Sequence, residues 1–140
     1  MNVKSFLDTN IVVSAFGRGF PEKARIAQQL ITDGAAGKQA VISYQVVQEF
    51  INVVLRGFRI TISRTDLESF VLTALFPMMA VSSSPALMIQ ALRLQAAHQL
   101  AWYDSLIVAA ALESSCRILY SEDLQHGRRF GDLVVENPFL

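Results

Sequence analysis

Four carboxylates stand out by where they fall along the chain: Asp8, Glu49, Asp104 and Asp123. Asp8 follows the strand-like run Val3-Lys4-Ser5-Phe6-Leu7, and Asp123 follows Arg117-Ile118-Leu119-Tyr120 with only Ser121-Glu122 between. In an open α/β sheet, ligands bind outside the carboxyl ends of the strands, so both acids are delivered to a rim where chemistry can begin. Asp104 sits at the start of a helical run before the second of these strands, and Glu49 lies on a helical run after Ser43. Right-handed crossovers bring such strand ends to one side of the sheet. Four acids gathered there repel one another, and a hard divalent cation, Mg²⁺ or Mn²⁺, relieves the repulsion through oxygen ligands while keeping some of its water. Such a site activates water and stabilises a leaving oxygen, which suits phosphodiester hydrolysis. Each acid alone also has a plainer reading, because Asp at a strand-to-helix turn caps the helix and an acid in a first turn complements its dipole.

The elements that must position these acids alternate between strand and helix. After Asn10, Ile11-Val12-Val13 begins a short helical segment ended by Gly17-Arg18-Gly19. Pro21 opens a longer helix with Ala24, Ile26, Ala27, Leu30 and Ile31 as its apolar stripe, and Asp33-Gly34 is the expected stop. Ala40-Val41-Ile42-Ser43 reads as the second strand, and residues 44–56 as a helix with Val46, Val47, Phe50, Ile51 and Val54 at helical spacing and Gly57 as terminator. A capping-box pattern, Thr65-Asp66-Leu67-Glu68, announces a helix running to Pro77, and residues 78–81 make a third strand candidate. Ser84-Pro85 starts the next helix, with His98 near its end. Residues 106–112 are apolar on every side, which places that helix in the middle of the domain. Arg117 to Tyr120 and Leu133-Val134-Val135 complete the strands. This alternation predicts an α/β fold with a mostly parallel sheet covered on both faces. His98 and His126 have no second His or Cys at ligand spacing and read as structural.

A chain of 140 residues suits one domain, and no repeat or linker divides it. Hydrophobic residues make up 52% and the mean hydropathy is +0.37, rich enough to imply apolar surface that awaits a partner. Pro77, Ser82-Ser83-Ser84 and Pro85 interrupt the longest uncharged stretch, leaving about a dozen apolar residues against the ~20 of a membrane span. The amino terminus lacks a signal-peptide pattern, so the chain is expected to stay in the cytoplasm. Cys116, the single cysteine, excludes an internal disulfide. The formal net charge is zero, from 12 Lys and Arg against 12 Asp and Glu, which at first argues against nucleic acid. With the four candidate acids set aside in one metal-filled cleft, the remainder carries an excess of four positive charges.

Five segments in order resemble one family. Phe6-Leu7-Asp8-Thr9-Asn10, Ser43 with Gln48-Glu49-Phe50, residues 103–111 from Tyr103-Asp104-Ser105 onward, Leu119-Tyr120-Ser121-Glu122-Asp123-Leu124, and the closing Glu136-Asn137-Pro138-Phe139 are together similar to the PIN-domain nucleases, and among them to the VapC-type toxins of toxin-antitoxin pairs. Ser105 stands where that family more often has Ala. The resemblance implies a three-layer α/β/α fold and a Mg²⁺-dependent endoribonuclease. It implies that Asp8, Glu49, Asp104 and Asp123 bind the metal, that Thr9, Asn10, Ser43 and Ser121 support the site, and that the partners are an RNA substrate, an antitoxin and a second copy in a homodimer. Arg18, Lys23 and Arg25 after the first acid, and Arg128-Arg129 after the fourth, are then candidates for holding RNA phosphates. The alternatives are a non-catalytic RNA- or protein-binding module and a structure-specific DNA nuclease. A haloacid-dehalogenase-like phosphatase would need Asp where this chain has Asn10, a receiver domain would need Asp where it has Ser82, and no Gly-rich phosphate loop is present. The apolar excess falls on the helical pair at 44–56 and 65–76, where Phe58, Ile60, Phe70 and Phe76 either line a partner groove or pack inward.

Overall fold

The computed structural model describes residues 3–37, 39–57, 60 and 62–140. Its sheet is built from β1 (Ser5–Leu7), β2 (Ala40–Ser43), β3 (Met79–Val81), β4 (Ile118–Tyr120), β5 (Arg129–Phe130) and β6 (Leu133–Glu136). The strand order is β3-β2-β1-β4-β6-β5, parallel throughout except for β5, which pairs antiparallel with β6. β5 is absent from the sequence reading because two residues, the first an exposed arginine, carry no alternation to detect. The chain adds strands outward from β1 to β3 and then returns to place β4 on the other side of β1. That reversal makes the β1/β4 boundary the switch point, where the connections diverge and leave a crevice at the strand ends.

Helices cover both faces of the sheet and complete the three layers: α1 (Thr9–Ser14), α2 (Pro21–Gly37), α3 (Tyr44–Arg56), α4 (Arg64–Phe70), α5 (Phe76–Met78), α6 (Pro85–His98) and α7 (Trp102–Glu113). β1 and β2 are buried along their whole length, as parallel strands sandwiched between helices must be. Ile107 to Ala111 of α7 are all buried, matching the run that is apolar on every side, and α6 packs along that helix.

Three helix boundaries differ from the sequence expectation. Gly34 does not stop α2, which continues to Gly37; it is where the helix crosses β2 so closely that a β-carbon there would lie 2.1 Å from the Ala40 Cβ. Ser63, not Thr65, caps α4 by accepting from the Asp66 amide at 3.0 Å. Pro77 does not end the helical path, because residues 71–75 form a π-helical turn and Pro77 fits within the first turn of α5, where its missing N–H costs nothing.

The aromatic residues of this region divide. Phe70 packs on Phe16 and Phe50, with ring centroids 4.7 and 5.4 Å away, and Ile60 is only 2% exposed, so both belong to the core. Phe76 is partly exposed, and Phe58 lies outside the described residues.

Candidate active site

Parallel register fixes the centre of the site. Leu7 pairs with Tyr120, and the Asp8 amide donates to the Tyr120 carbonyl at 3.0 Å, so the first residues beyond β1 and β4 emerge side by side. Ser121 is fully buried and donates to Asp8 Oδ2 at 2.8 Å, while the Thr9 amide donates to Asp8 Oδ1 at 2.7 Å. Asp8 is thus both the N-cap of α1 and a buried anion. Burial pushes its carboxyl up to about 7, the Asp123 and Glu49 charges push the same way, and the two hydrogen bonds only partly offset them.

The other acids arrive from three more elements. Ser43 ends β2 and caps α3 by accepting from the Val46 amide, which orients the helix that carries Glu49. Thr9 donates to Glu49 Oε1 at 2.6 Å, and Gln45 reaches both Glu49 Oε2 and the Tyr103 carbonyl, tying α3 to the start of α7. Asp104 lies in the first turn of α7 and is not its cap, a place taken by Ala101. Burial raises the Asp104 carboxyl, with Asp123 and Glu49 adding to the effect. Asp123 is on the loop after β4, where Asn10 Nδ2 donates to its Oδ2 at 3.1 Å and Asn10 Oδ1 accepts from the Glu122 amide.

All four acids line one cleft of about 450 Å³, together with Thr9, Asn10, Gln45, Asn52, Arg56 and Tyr103. Among the described residues no three His, Cys, Asp or Glu stand close enough to form a ready-made cage. The donor set still fits a hard cation. Mg²⁺ keeps several waters and needs only one or two direct carboxylates, and a cation entering the cleft would favour the ionised form of Asp8 that burial disfavours.

Of the supporting residues expected from sequence, Thr9, Asn10 and Ser121 bond directly to the acids, whereas Ser43 acts through the helix it caps. None of the five candidate phosphate-holding cations lines the cleft. Arg18 is exposed, Arg25 pairs with Glu22 at 2.6 Å, and Lys23 pairs with Glu122. Arg128 donates to the His98 carbonyl at the end of α6 and stacks on Phe130, and Arg129 is exposed on β5. The cation that does line the cleft is Arg56, which the sequence reading passed over as a helix end. A signal was present: Gln45, Glu49, Asn52 and Arg56 recur at spacings of four, three and four, the polar stripe of one helix face. Tyr103, 65% exposed on the opposite wall, was likewise missed beside Asp104.

The PIN domain family model matches residues 5–129. No curated protein sequence matches the chain. Among solved structures, a toxin-antitoxin complex from Klebsiella pneumoniae is similar at 20% identity over 96% of this chain and 98% of that one, with a TM-score of 0.67. The Mycobacterium tuberculosis toxin VapC20, described as cleaving the sarcin-ricin loop, is 17% identical over 84% of this chain and 88% of its own, with a TM-score of 0.61. VapBC2 from Rickettsia felis, bound to a DNA fragment from its promoter, is 17% identical over 94% and 96%, with a TM-score of 0.59. At these identities the likeness is one of fold.

Proposed function

Because the chain belongs to the PIN domain family, we propose that it is a Mg²⁺- or Mn²⁺-dependent endoribonuclease, the toxin of a toxin-antitoxin pair. The observation that carries this reading is the meeting of Asp8, Glu49, Asp104 and Asp123 in one cleft at the β1/β4 switch point. A bound divalent ion supplies an activated water and neutralises charge at the scissile phosphate. Asp8 and Asp104, the two acids whose carboxyls burial raises, are the ones that gain most from that ion, and Glu49 and Asp123 complete the negative rim. Thr9, Asn10 and Ser121 hold the carboxylates by donating protons to their oxygens.

The walls of the cleft indicate how substrate lies. Arg56 stands on α3 two turns beyond Glu49 and supplies a positive charge for a phosphate next to the one attacked. Tyr103 offers an exposed ring for an unpaired base.

Two surfaces fit the proposed protein partners. Ile51, Leu55, Leu67, Val71 and Leu72 form an apolar groove between α3 and the α4 region, with Arg64 and Glu68 at its rim, suited to an amphipathic segment of the antitoxin. Two of the similar structures are toxin-antitoxin assemblies. Met88, Ile89 and Leu92 are exposed on α6, an apolar face that a second copy would cover in an isologous pair; light scattering on the purified protein distinguishes the pair from the single chain. Among the described residues no helix is long and apolar enough to cross a membrane; the proposed RNA substrate and antitoxin would place its work in the cytoplasm.

Purified protein is expected to cut RNA with Mg²⁺ or Mn²⁺ and to stop on chelation. Asp8→Asn and Asp104→Asn should each lower cleavage by at least about 100-fold, the scale of losing one charge-stabilising group, while leaving the circular dichroism spectrum unchanged. Undiminished cleavage by either variant overturns the assignment, and preference for a DNA oligonucleotide over RNA of the same sequence overturns the choice of substrate.

A further inference from the structure

Lys23 is held in a setting that leaves little of it for substrate. Its Nζ lies 2.6 Å from Glu122 Oε2, 5.3 Å from the Phe20 ring centroid and 5.2 Å from that of Phe139. Three separate parts of the chain meet at this ammonium group: the start of α2, the loop after β4 and the segment beyond β6. The side chains of the pair are 37% and 27% exposed. The ring faces of Phe20 and Phe139 add cation–π contacts to the ion pair and limit where the ammonium group can go.

Glu122 stands between Ser121 and Asp123, in a loop with no helix or strand geometry. The Ser121 amide is anchored on the Glu136 carbonyl at 3.0 Å, and beyond that point the placement of Asp123 depends on side-chain bonds. Ser121 accepts from the Asp123 and Leu124 amides while donating to Asp8, and Asn10 takes the Glu122 amide and the Asp123 carboxylate. Those bonds grip the loop from the cleft side. On the outer side the described residues provide one ionic tether, from Lys23 to Glu122.

We propose that Lys23, through its ion pair with Glu122, is a positioning residue that holds the Ser121-Glu122-Asp123 loop so that Asp123 faces the cleft. The inference rests on the nuclease reading only for its consequence in metal binding; the fixing of the loop follows from the contacts themselves. Loss of either partner frees the loop that carries Asp123, so the effect on metal binding runs through position and exceeds that of a surface charge.

The test compares Lys23→Met, Glu122→Gln, the double variant and Lys23→Arg in the full chain. Lys23→Met and Glu122→Gln should each weaken Mn²⁺ binding, measured calorimetrically without RNA, by about 10-fold. The double variant should be no worse than either single one, because both remove the same tether. Lys23→Arg keeps the positive charge and the contact with the rings, and should retain binding. The salt dependence of RNA binding should stay unchanged in all four. In metal-free protein, amide exchange at residues 122–124 should quicken in Lys23→Met and not in Lys23→Arg. A fall in the salt slope with unchanged Mn²⁺ affinity would make Lys23 an RNA contact and overturn the proposal, as would additive effects or unaltered exchange. A wild-type chain that binds no Mn²⁺ removes the nuclease reading, and the exchange measurement then decides the positioning claim alone.

Discussion

Ser121 donates its hydroxyl proton to Asp8 across 2.8 Å, and both side chains are buried. Burial pushes the Asp8 carboxyl to about 7 from 3.8, and one hydroxyl and one backbone amide offset that only in part. The sign of the pH effect follows. The metal-free folded protein binds more protons than the unfolded chain between about pH 4 and 7, so its stability is fully present below that window and is lost as pH rises through it. At about 1.4 kcal/mol per pH unit, the loss attributable to Asp8 is on the order of 4 kcal/mol. The Tm of metal-free protein should therefore fall from pH 5 to pH 8, and Asp8→Asn should flatten that fall. Divalent ions act in the opposite sense, since they select the ionised carboxylate, and cleavage should drop as pH falls below about 7. A metal-free Tm that is level across this range removes the uncompensated charge from the account.

Much of this cleft is legible in the sequence. Acids that follow Phe6-Leu7 and Leu119-Tyr120 announce themselves because buried parallel strands are short apolar runs with polar ends, and the register of β1 on β4 then makes Asp8 and Ser121 neighbours. Gly34 misled for the opposite reason. Its lack of a side chain is used for close packing on Ala40 rather than for the left-handed turn that ends a helix, and the two uses look alike in sequence. For the cations, nearness in sequence to an acid does not fix direction: Lys23 and Arg128 turn to Glu122 and to the end of α6, whereas Arg56 reaches the cleft from the last turn of α3. The polar stripe of a helix identifies such a residue only when its opposite face is known to be buried.

If the cleft binds a divalent ion as proposed, Thr9 and Asn10 should contribute to that binding although neither carries charge. Thr9 donates to Glu49 at 2.6 Å and Asn10 to Asp123 at 3.1 Å, and each link crosses between elements far apart in sequence. Thr9→Val keeps the shape and removes the donor; Asn10→Ala removes a donor to Asp123 and the acceptor of the Glu122 amide. Loss of such outer partners costs about 10- to 100-fold in metal affinity or activity. A Mn²⁺ titration of cleavage should shift to higher concentration for both variants. Wild-type titration curves would show that the acids hold their places unaided.

Substrate contacts are assigned differently from the sequence expectation, and salt dependence tells the two assignments apart. Arg56→Gln should reduce the slope of log affinity against log salt by about 0.7 for a single-stranded RNA, the value for one phosphate contact. Tyr103→Ala should weaken binding by about 1–3 kcal/mol without altering the slope, as expected for a lost stacking platform. Arg128→Gln should lower Tm and leave the slope alone, because its guanidinium is engaged with the His98 carbonyl and the Phe130 ring. A changed slope in the Arg128 variant, with none in the Arg56 variant, would move the RNA to the other end of the sheet.

The groove between α3 and α4 separates surface from core within one helical pair. Leu55 and Leu72 are 64% and 67% exposed on its walls, whereas Ile60 is 2% exposed in the segment that joins the helices. Substituting Ile60 would thus test the core and not the groove, and Phe58 lies outside the described residues. Replacing Leu55 and Leu72 with serine removes apolar area that is already in water, so the change in stability should stay within about 0.5 kcal/mol per site. Binding of the antitoxin should nevertheless collapse, because apolar anchors at the centre of a contact carry most of its free energy. Cells that make both proteins should then lose protection from the toxin. Ile60→Ser should instead destabilise the fold by at least about 2 kcal/mol, through lost burial and a hydroxyl without a partner. Thermal unfolding read alongside antitoxin binding checks both halves, and full antitoxin affinity in the Leu55 and Leu72 double variant would place the partner on another face.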